Sequence, residues 1–316
     1  PRWPYLLCAL FAVLVVAAGT TGPKESGPSR AAPRKQASAQ DELLNLLLNK
    51  PPPLAAGAIF LAAGLAVFAS YVWVLLSLAL RGAVFHPVEF PRAGWNGWDA
   101  LVAMLVFLVF PGLIAGAVRE FGAGGVFAVH GMGRLLSACV ILGMIRRRGQ
   151  NPVDALGLRV RGLGGPMASG LAVFFALLPG IVILTVVWQM VLEWLPGEFA
   201  TSQEVVMYLL KTQSISVVVQ ISIAAVLVAP IAEELFFRGF LYGLVRRYLP
   251  PAAAIPIVGI LFGMLHPPVA AMFPMCVLGA LLCYIYEKTA RLTVPIAIHV
   301  LFNLFQVALM LAAKFL

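Results

Sequence analysis

The fold is decided by a stretch in which three charged side chains stand inside an apolar run. Residues 221–239 read ISIAAVLVAPIAEELFFRG, in which Glu233, Glu234 and Arg238 are the only charges. The part before the acidic pair, from Ile221 to Ile231, has no charge at all. Charges in such a setting are costly and are usually functional. The stretch therefore predicts a membrane-embedded helix with a polar site in its interior.

The composition of the whole chain also predicts a membrane protein. Of the 316 residues, 61% are hydrophobic and 11% are charged, whereas soluble proteins have about 45–50% apolar and about 25% charged residues. The net charge of +9 lies mostly in short loops such as Arg146-Arg147-Arg148, a positive-inside pattern that argues against nucleic-acid binding. Since lipid offers the backbone no hydrogen-bond partner, the expected fold is an all-α polytopic membrane protein. We expect a bundle of about eight transmembrane helices around a buried polar catalytic cavity.

Composition shifts divide the chain into five segments. Residues 1–19 are expected to be a signal-like segment or a short first span, and residues 20–53 a polar linker with a short amphipathic helix. Residues 54–145 are expected to hold N-terminal transmembrane helices, 146–162 a basic cytoplasmic loop, and 163–316 the catalytic transmembrane core. The apolar segments long enough to span lie at 54–80, 97–118, 125–145, 163–194, 213–248, 251–266, 269–286 and 292–314.

Four polar side chains of the late spans lie at similar depth. Counted at 1.5 Å per residue from the nearest cytoplasmic loop, the depths are about 21 Å for Glu233, about 22 Å for His266, about 18 Å for Asn303 and about 12 Å for His299. Three separate helices thus bring a carboxylate, two imidazoles and an amide toward one region. We expect these side chains to meet in one buried, water-containing cavity.

The residue types at this depth describe the hydrolysis of an amide. A carboxylate in a low dielectric can act as a general base, and a neighbouring imidazole can share the proton and orient a water molecule. His299 and Asn303 share one helix face and can stabilise an oxyanion. Glu234 and Arg238 have the i, i+4 order that favours a helical ion pair. Arg238 is therefore expected to neutralise Glu234, which leaves Glu233 to face the cavity.

Three motifs carry a resemblance to a known family. They are Glu-Glu-x-x-x-Arg at 233–238, Phe-x-x-x-His at 262–266 and His-x-x-x-Asn at 299–303. In order and spacing the chain resembles the CPBP family of intramembrane proteases, which includes CAAX proteases and bacteriocin-processing (Abi) proteins. The resemblance covers about 210–310, and the loop 154–159 before a span resembles the family's lead-in.

The resemblance implies an eight-helix membrane fold and an endopeptidase site within the bilayer. Carried over to this sequence, it assigns water activation to Glu233 and His266 and the oxyanion hole to His299 and Asn303. The residues that would support these four are Glu234, Arg238 and Phe262.

The sequence leaves alternatives open for the metal dependence and for the class of function. Glu233, His266 and His299 are suitable as three zinc ligands with an open position, but the chain has no HExxH motif, and we prefer a glutamate mechanism without a metal or other cofactor. A proton- or ion-coupled transporter is one alternative function, and a non-catalytic immunity or assembly protein on the same fold is another. Serine and aspartyl proteases are disfavoured because Gly-x-Ser-x-Gly and paired Gly-Asp motifs are absent from the sequence.

The expected partners are the membrane and a peptide or protein with a membrane-associated cleavage site. Prenylated CAAX peptides, bacteriocin-type leaders and membrane-anchored sorting tails all fit, and the sequence indicates no oligomeric state. The expected location is a multi-pass protein of a bacterial inner membrane. His130 and Arg134, which are i, i+4 in an apolar run, are interpreted as an interfacial histidine and a snorkelling arginine rather than as a substrate entrance.

Overall fold

The described part of the chain is a bundle of α-helices. The structure is a computed structural model that describes residues 89–91, 94–109, 122–194, 204–266 and 269–315, and these contain no β-strand. The helices are α1 (Gly97–Met104, continued by the π-helical turn π1, Leu105–Val109), α2 (Gly122–Arg147), α3 (Pro152–Ala155), α4 (Gly164–Trp194), α5 (Glu204–Lys211), α6 (Ile215–Tyr248), α7 (Pro251–Met264), α8 (Val269–Thr289) and α9 (Thr293–Phe315).

Four of these helices are long and apolar enough to cross a membrane: Gly164–Leu192, Ile215–Tyr248, Val269–Thr289 and Thr293–Ala312. The shorter apolar helices Gly97–Leu108 and Pro251–Met264 accompany them. The prediction of an all-α membrane protein is therefore confirmed. The number of eight spans stays a prediction, because the segments 1–19, 20–53 and 54–80 lie outside the described residues.

The long helix α6 changes its hydrogen-bond pattern on both sides of the acidic pair. It passes through π2 (Ala224–Val228), returns to α geometry over Ala229–Glu234, and enters π3 (Leu235–Tyr242). Pro230 lies at the start of the central α-helical part and has no N–H to donate, which removes one bond of the α-helical ladder. π-helical turns are rare and often occur at functional sites.

Helices α7 and α8 pack closely because glycines remove side chains from their interface. A Cβ added at Gly259 would lie 2.7 Å from the backbone nitrogen of Ala280. Small residues of this kind let transmembrane backbones approach one another. The close contact fixes the end of α7, beyond which His266 follows.

The loop after α3 is attached to the turn between α8 and α9. The Leu156 carbonyl accepts hydrogen bonds from Leu292 N (3.0 Å) and from the Tyr286 hydroxyl (3.3 Å). Gly157 has a φ of 65°, and an added Cβ there would meet the Ala290 carbonyl. The loop at 154–159 that resembles the family's lead-in is therefore part of the packed bundle.

The basic loops gather at one end of the bundle. Arg246 pairs with Glu287 at 3.0 Å, and Arg291 donates to the carbonyl oxygens of Arg159 and Arg161. This grouping is consistent with the predicted topology, in which all of these loops face the cytoplasm. The side of the membrane itself stays a prediction.

Candidate active site

The two adjacent glutamates of α6 have different partners. Glu234 and Arg238 are fully buried, and Arg238 Nη1 donates to Glu234 Oε1 at 2.7 Å. Arg238 also donates to the Gly279 carbonyl at 3.0 Å, and its guanidinium lies 4.3 Å from the centre of the Phe262 ring. The predicted ion pair between Glu234 and Arg238 is thus present, and the carboxylate of Glu233 is turned away from it.

His299 is held by Glu234. Its Nδ1 lies 2.8 Å from Glu234 Oε1, and the residue is 3% exposed. Because a carboxylate only accepts hydrogen bonds, Nδ1 is the donor in this contact. The other ring nitrogen, Nε2, lies 4.0 Å from Glu233 Oε2. Glu234 therefore orients the imidazole of His299 so that Nε2 faces Glu233.

His266 is oriented in a comparable way by the end of α7. Helix α7 ends at Met264, and the carbonyls of a final helical turn have no partner within the helix. The Phe262 carbonyl accepts a hydrogen bond from His266 Nδ1 at 2.6 Å. The Nε2 atom then lies 3.7 Å from Glu233 Oε2. The two imidazoles approach the same carboxylate oxygen, His266 from just beyond the end of α7 and His299 from α9.

This arrangement leaves a place for a water molecule next to Glu233. His266 Nε2 and Glu233 Oε2 are 3.7 Å apart. A water molecule placed to one side of the line between them can lie within about 2.8 Å of both atoms. A partly open cavity of about 200 Å³ adjoins the carboxylate, which is room for several water molecules. The lining residues are Phe107, Leu108, Arg134, Glu233, Phe237, Leu265 and His266.

The interpretation of Arg134 as a snorkelling residue is wrong. Its Nη1 donates to Glu233 Oε1 at 2.7 Å, and the side chain is 31% exposed. The guanidinium lies 4.7 Å from the centre of the Phe107 ring. A sequence signal was available, because Arg134 is 13 residues before Arg147 and so lies about 20 Å inward, at the depth estimated for Glu233.

Asn303 lies one helical turn beyond His299, but its side chain donates its hydrogen bond to a residue outside the group of Glu233, His266 and His299. Its Nδ2 donates to the carbonyl of Ala225 in π2 at 2.8 Å. The structure therefore brings Glu233, His266 and His299 together, whereas Asn303 contacts α6 two turns before Glu233. The side-chain amide has a second N–H, which this bond does not use.

The residues that the sequence offers for zinc do not fit a metal site in this structure. Within the described residues, no group of three His, Cys, Asp or Glu side chains is arranged to hold an ion. In addition, the guanidinium of Arg134 takes Oε1 of Glu233, where a second cation would be repelled.

Comparisons with known proteins give matches for the region of the chain that carries this site. Residues 214–305 match the family model of the Rce1-like proteins, described as type II CAAX prenyl endopeptidase Rce1-like. The matched region contains all three motifs, and with them Glu233, His266, His299 and Asn303.

A curated relative gives the same indication. The chain is 30% identical over 104 residues to a protein of Bacillus subtilis (strain 168) named "Putative membrane peptidase YdiL". The match covers 32% of this chain and 43% of the relative, so the chain spans less than half the length of that protein. No solved structure gives a significant match.

These matches, together with the helical membrane fold, support a relationship of the region 214–305 to the CPBP family of CAAX-type proteases.

Proposed function

We propose that the chain is an intramembrane endopeptidase that hydrolyses a peptide bond of a membrane-associated substrate. In this proposal Glu233 and His266 activate the water molecule, and His299 and Asn303 stabilise the oxyanion. Glu234, Arg238 and Phe262 hold these groups in place. The mechanism depends on glutamate and uses no metal.

The main support for the proposal is the position of the Glu233 carboxylate between two imidazoles. Glu233 Oε2 lies 3.7 Å from His266 Nε2 and 4.0 Å from His299 Nε2, beside a partly open cavity inside a helical membrane protein. Each imidazole is fixed through its Nδ1, by a backbone carbonyl for His266 and by Glu234 for His299. Groups that are fixed before substrate binds are what general-base and electrostatic catalysis require.

The chemical steps follow from these positions. Glu233 takes a proton from the water, and the water oxygen attacks the carbonyl carbon of the scissile bond. The negative charge that forms on the carbonyl oxygen is stabilised by the second amide N–H of Asn303 and by His299. Because His299 Nδ1 already donates to Glu234, its Nε2 donates to the oxyanion only in the imidazolium form. The C–N bond then breaks, and the amine leaves with the proton that Glu233 received.

Three classes of membrane-associated substrate are compatible with the proposal. The family description supports prenylated CAAX peptides, and leader peptides and membrane-anchored sorting tails are the other classes of membrane-associated substrate. The bacterial relative supports a location in a bacterial membrane.

The experiment uses the purified protein in proteoliposomes and a panel of three quenched fluorescent peptides. One peptide has a farnesylated CAAX tail, the second has the same tail without the prenyl group, and the third carries a leader followed by a transmembrane segment. We expect the wild type to cleave at least one, and Glu233→Gln and His266→Gln each to reduce the rate on the order of 100- to 10,000-fold.

The controls separate loss of chemistry from loss of structure. Each variant is tested for an unchanged unfolding midpoint in the same detergent. Cleavage at the wild-type rate by either variant would contradict the assigned roles. Glu233-dependent flux of protons or ions across the proteoliposomes, without cleavage of any peptide, would favour a transporter instead.

A further inference from the structure

The side chain that determines how Glu233 is oriented lies outside all three motifs. Arg134 belongs to α2 and is 99 residues away from Glu233 in sequence. Its guanidinium donates to Oε1 at 2.7 Å, while Oε2 is the oxygen that faces His266 and His299. The two carboxylate oxygens therefore have different environments.

This difference is important because the last torsion of a glutamate side chain has no sharp preference. Rotation about that bond is broad and roughly two-fold, so covalent geometry alone does not fix the plane of the carboxylate or the direction of its oxygens. A hydrogen bond to a charged donor is shorter and about twice as strong as a neutral one. The bond from Arg134 to Oε1 selects the orientation in which Oε2 is directed at the water position.

Arg134 is itself fixed by a stack of aromatic rings. The guanidinium lies 4.7 Å from the ring centre of Phe107. Phe107 is 3% exposed and stacks on Phe236, with ring centres 4.2 Å apart and planes 3° from parallel. A cation over an aromatic ring is stabilised by the ring quadrupole. The stacked rings thus connect Phe236, which follows the acidic pair on α6, to the guanidinium of Arg134.

We propose that Arg134 is a positioning residue for the peptidase reaction, which holds Glu233 Oε1 so that Oε2 can activate water. The proposal rests on the proposed function, since it assigns a role to Arg134 in the same site. Arg134 acts through Glu233 and needs no contact with the substrate. Removing it is expected to lower kcat more than it changes KM.

The first test compares three substitutions on the panel peptide that the wild type cleaves fastest. Arg134→Gln is expected to lower kcat on the order of 10- to 100-fold, with KM within about threefold, because a misplaced group of this kind lowers the rate by such factors. Arg134→Lys keeps the charge but not the planar fork of donors, so its kcat is expected between those of Gln and the wild type.

The second test uses chemical rescue, which a purely structural role would not show. Arg134→Ala leaves space in a partly open cavity, and guanidinium chloride at millimolar concentration is expected to raise its kcat about tenfold toward the wild type. Ammonium chloride at the same concentration is the salt control. Arg148→Gln is the matched arginine control, since Arg148 pairs with Asp99 at 2.8 Å, away from the cavity.

The outcomes separate this proposal from the proposed function. The positioning role would be overturned by a wild-type kcat in Arg134→Gln, or by a loss of kcat in Arg134→Ala that guanidinium does not restore. In either case, an inactive Glu233→Gln would still support the peptidase assignment. An active Glu233→Gln would overturn the peptidase assignment itself. Equal losses in Arg134→Gln and Arg148→Gln would show a general effect of charge and would also overturn the positioning role.

Discussion

The ion pair between Glu234 and Arg238 is predicted to be essential for stability rather than for the proton transfer. Both side chains are fully buried, and Glu234 Oε1 accepts from Arg238 Nη1 at 2.7 Å and from His299 Nδ1 at 2.8 Å. Removing one partner of a buried pair leaves an uncompensated charge, which costs about 3–5 kcal/mol. Glu234→Gln and Arg238→Met should each destabilise the fold by this amount.

A double-mutant cycle measures whether the two charges act as a pair. The double variant Glu234→Gln/Arg238→Met buries no unpaired charge, so its loss of stability should be smaller than the sum of the two single losses by about 3 kcal/mol. The free energy of unfolding is measured by titration with sodium dodecyl sulfate in mixed micelles. The control is the pair of Asp154 and Arg159, whose side chains are 44% and 66% exposed and whose removal should change stability little.

One result would refute this reasoning. If the losses of Glu234→Gln and Arg238→Met simply add in the double variant, the two charges do not stabilise each other. The buried ion pair would then not be the reason that Arg238 occurs in this motif.

Two further predictions concern the loop after α3 and the metal. Gly157→Ala should lower the free energy of unfolding by about 1–2 kcal/mol because of its left-handed backbone, and by more because of the contact with the Ala290 carbonyl. Gly149, with a φ of 77°, has no neighbour within 4 Å, so Gly149→Ala should show only the backbone effect. Equal losses of unfolding free energy in the two variants would contradict this. Incubation with 1,10-phenanthroline should leave peptide cleavage unchanged, because Glu233 is paired with Arg134; a loss that zinc restores would contradict the glutamate mechanism.

Local spacing predicted the helices and the ion pair well. The i, i+4 order of Glu234 and Arg238 fixes their contact within one helix, and the observed pair is the predicted one. The late helices also lie close to the predicted segments: α4 at Gly164–Trp194 corresponds to 163–194, and α9 at Thr293–Phe315 to 292–314. Long apolar runs bounded by charges leave little freedom in where such helices begin and end.

Contacts between helices were predicted less well, because spacing does not show which faces meet. Depth counting brought His299 to the level of the acidic pair, but it did not indicate that Nδ1 would contact Glu234. The rotation of one helix against another is set by packing over the whole bundle. The bond from Asn303 to the Ala225 carbonyl involves the π-helical turn π2, and the nearby Pro230 was its only signal in the sequence.

Arg134 was assigned the wrong role for the same reason. Its partner is on another helix, and spacing within α2 alone favours the interpretation of a lone arginine as a snorkelling residue.

The central claim is that Glu233 makes this chain a peptidase, and one comparison tests it most directly. Wild type and Glu233→Gln are expressed in the same host, and new peptide termini in the membrane fraction are identified by mass spectrometry. Because Glu233 lies beside a 31% exposed arginine rather than in the fully buried pair, the variant should be present at the wild-type level. We predict termini that occur with the wild type and are absent with Glu233→Gln; the same termini in both membranes would contradict the claim.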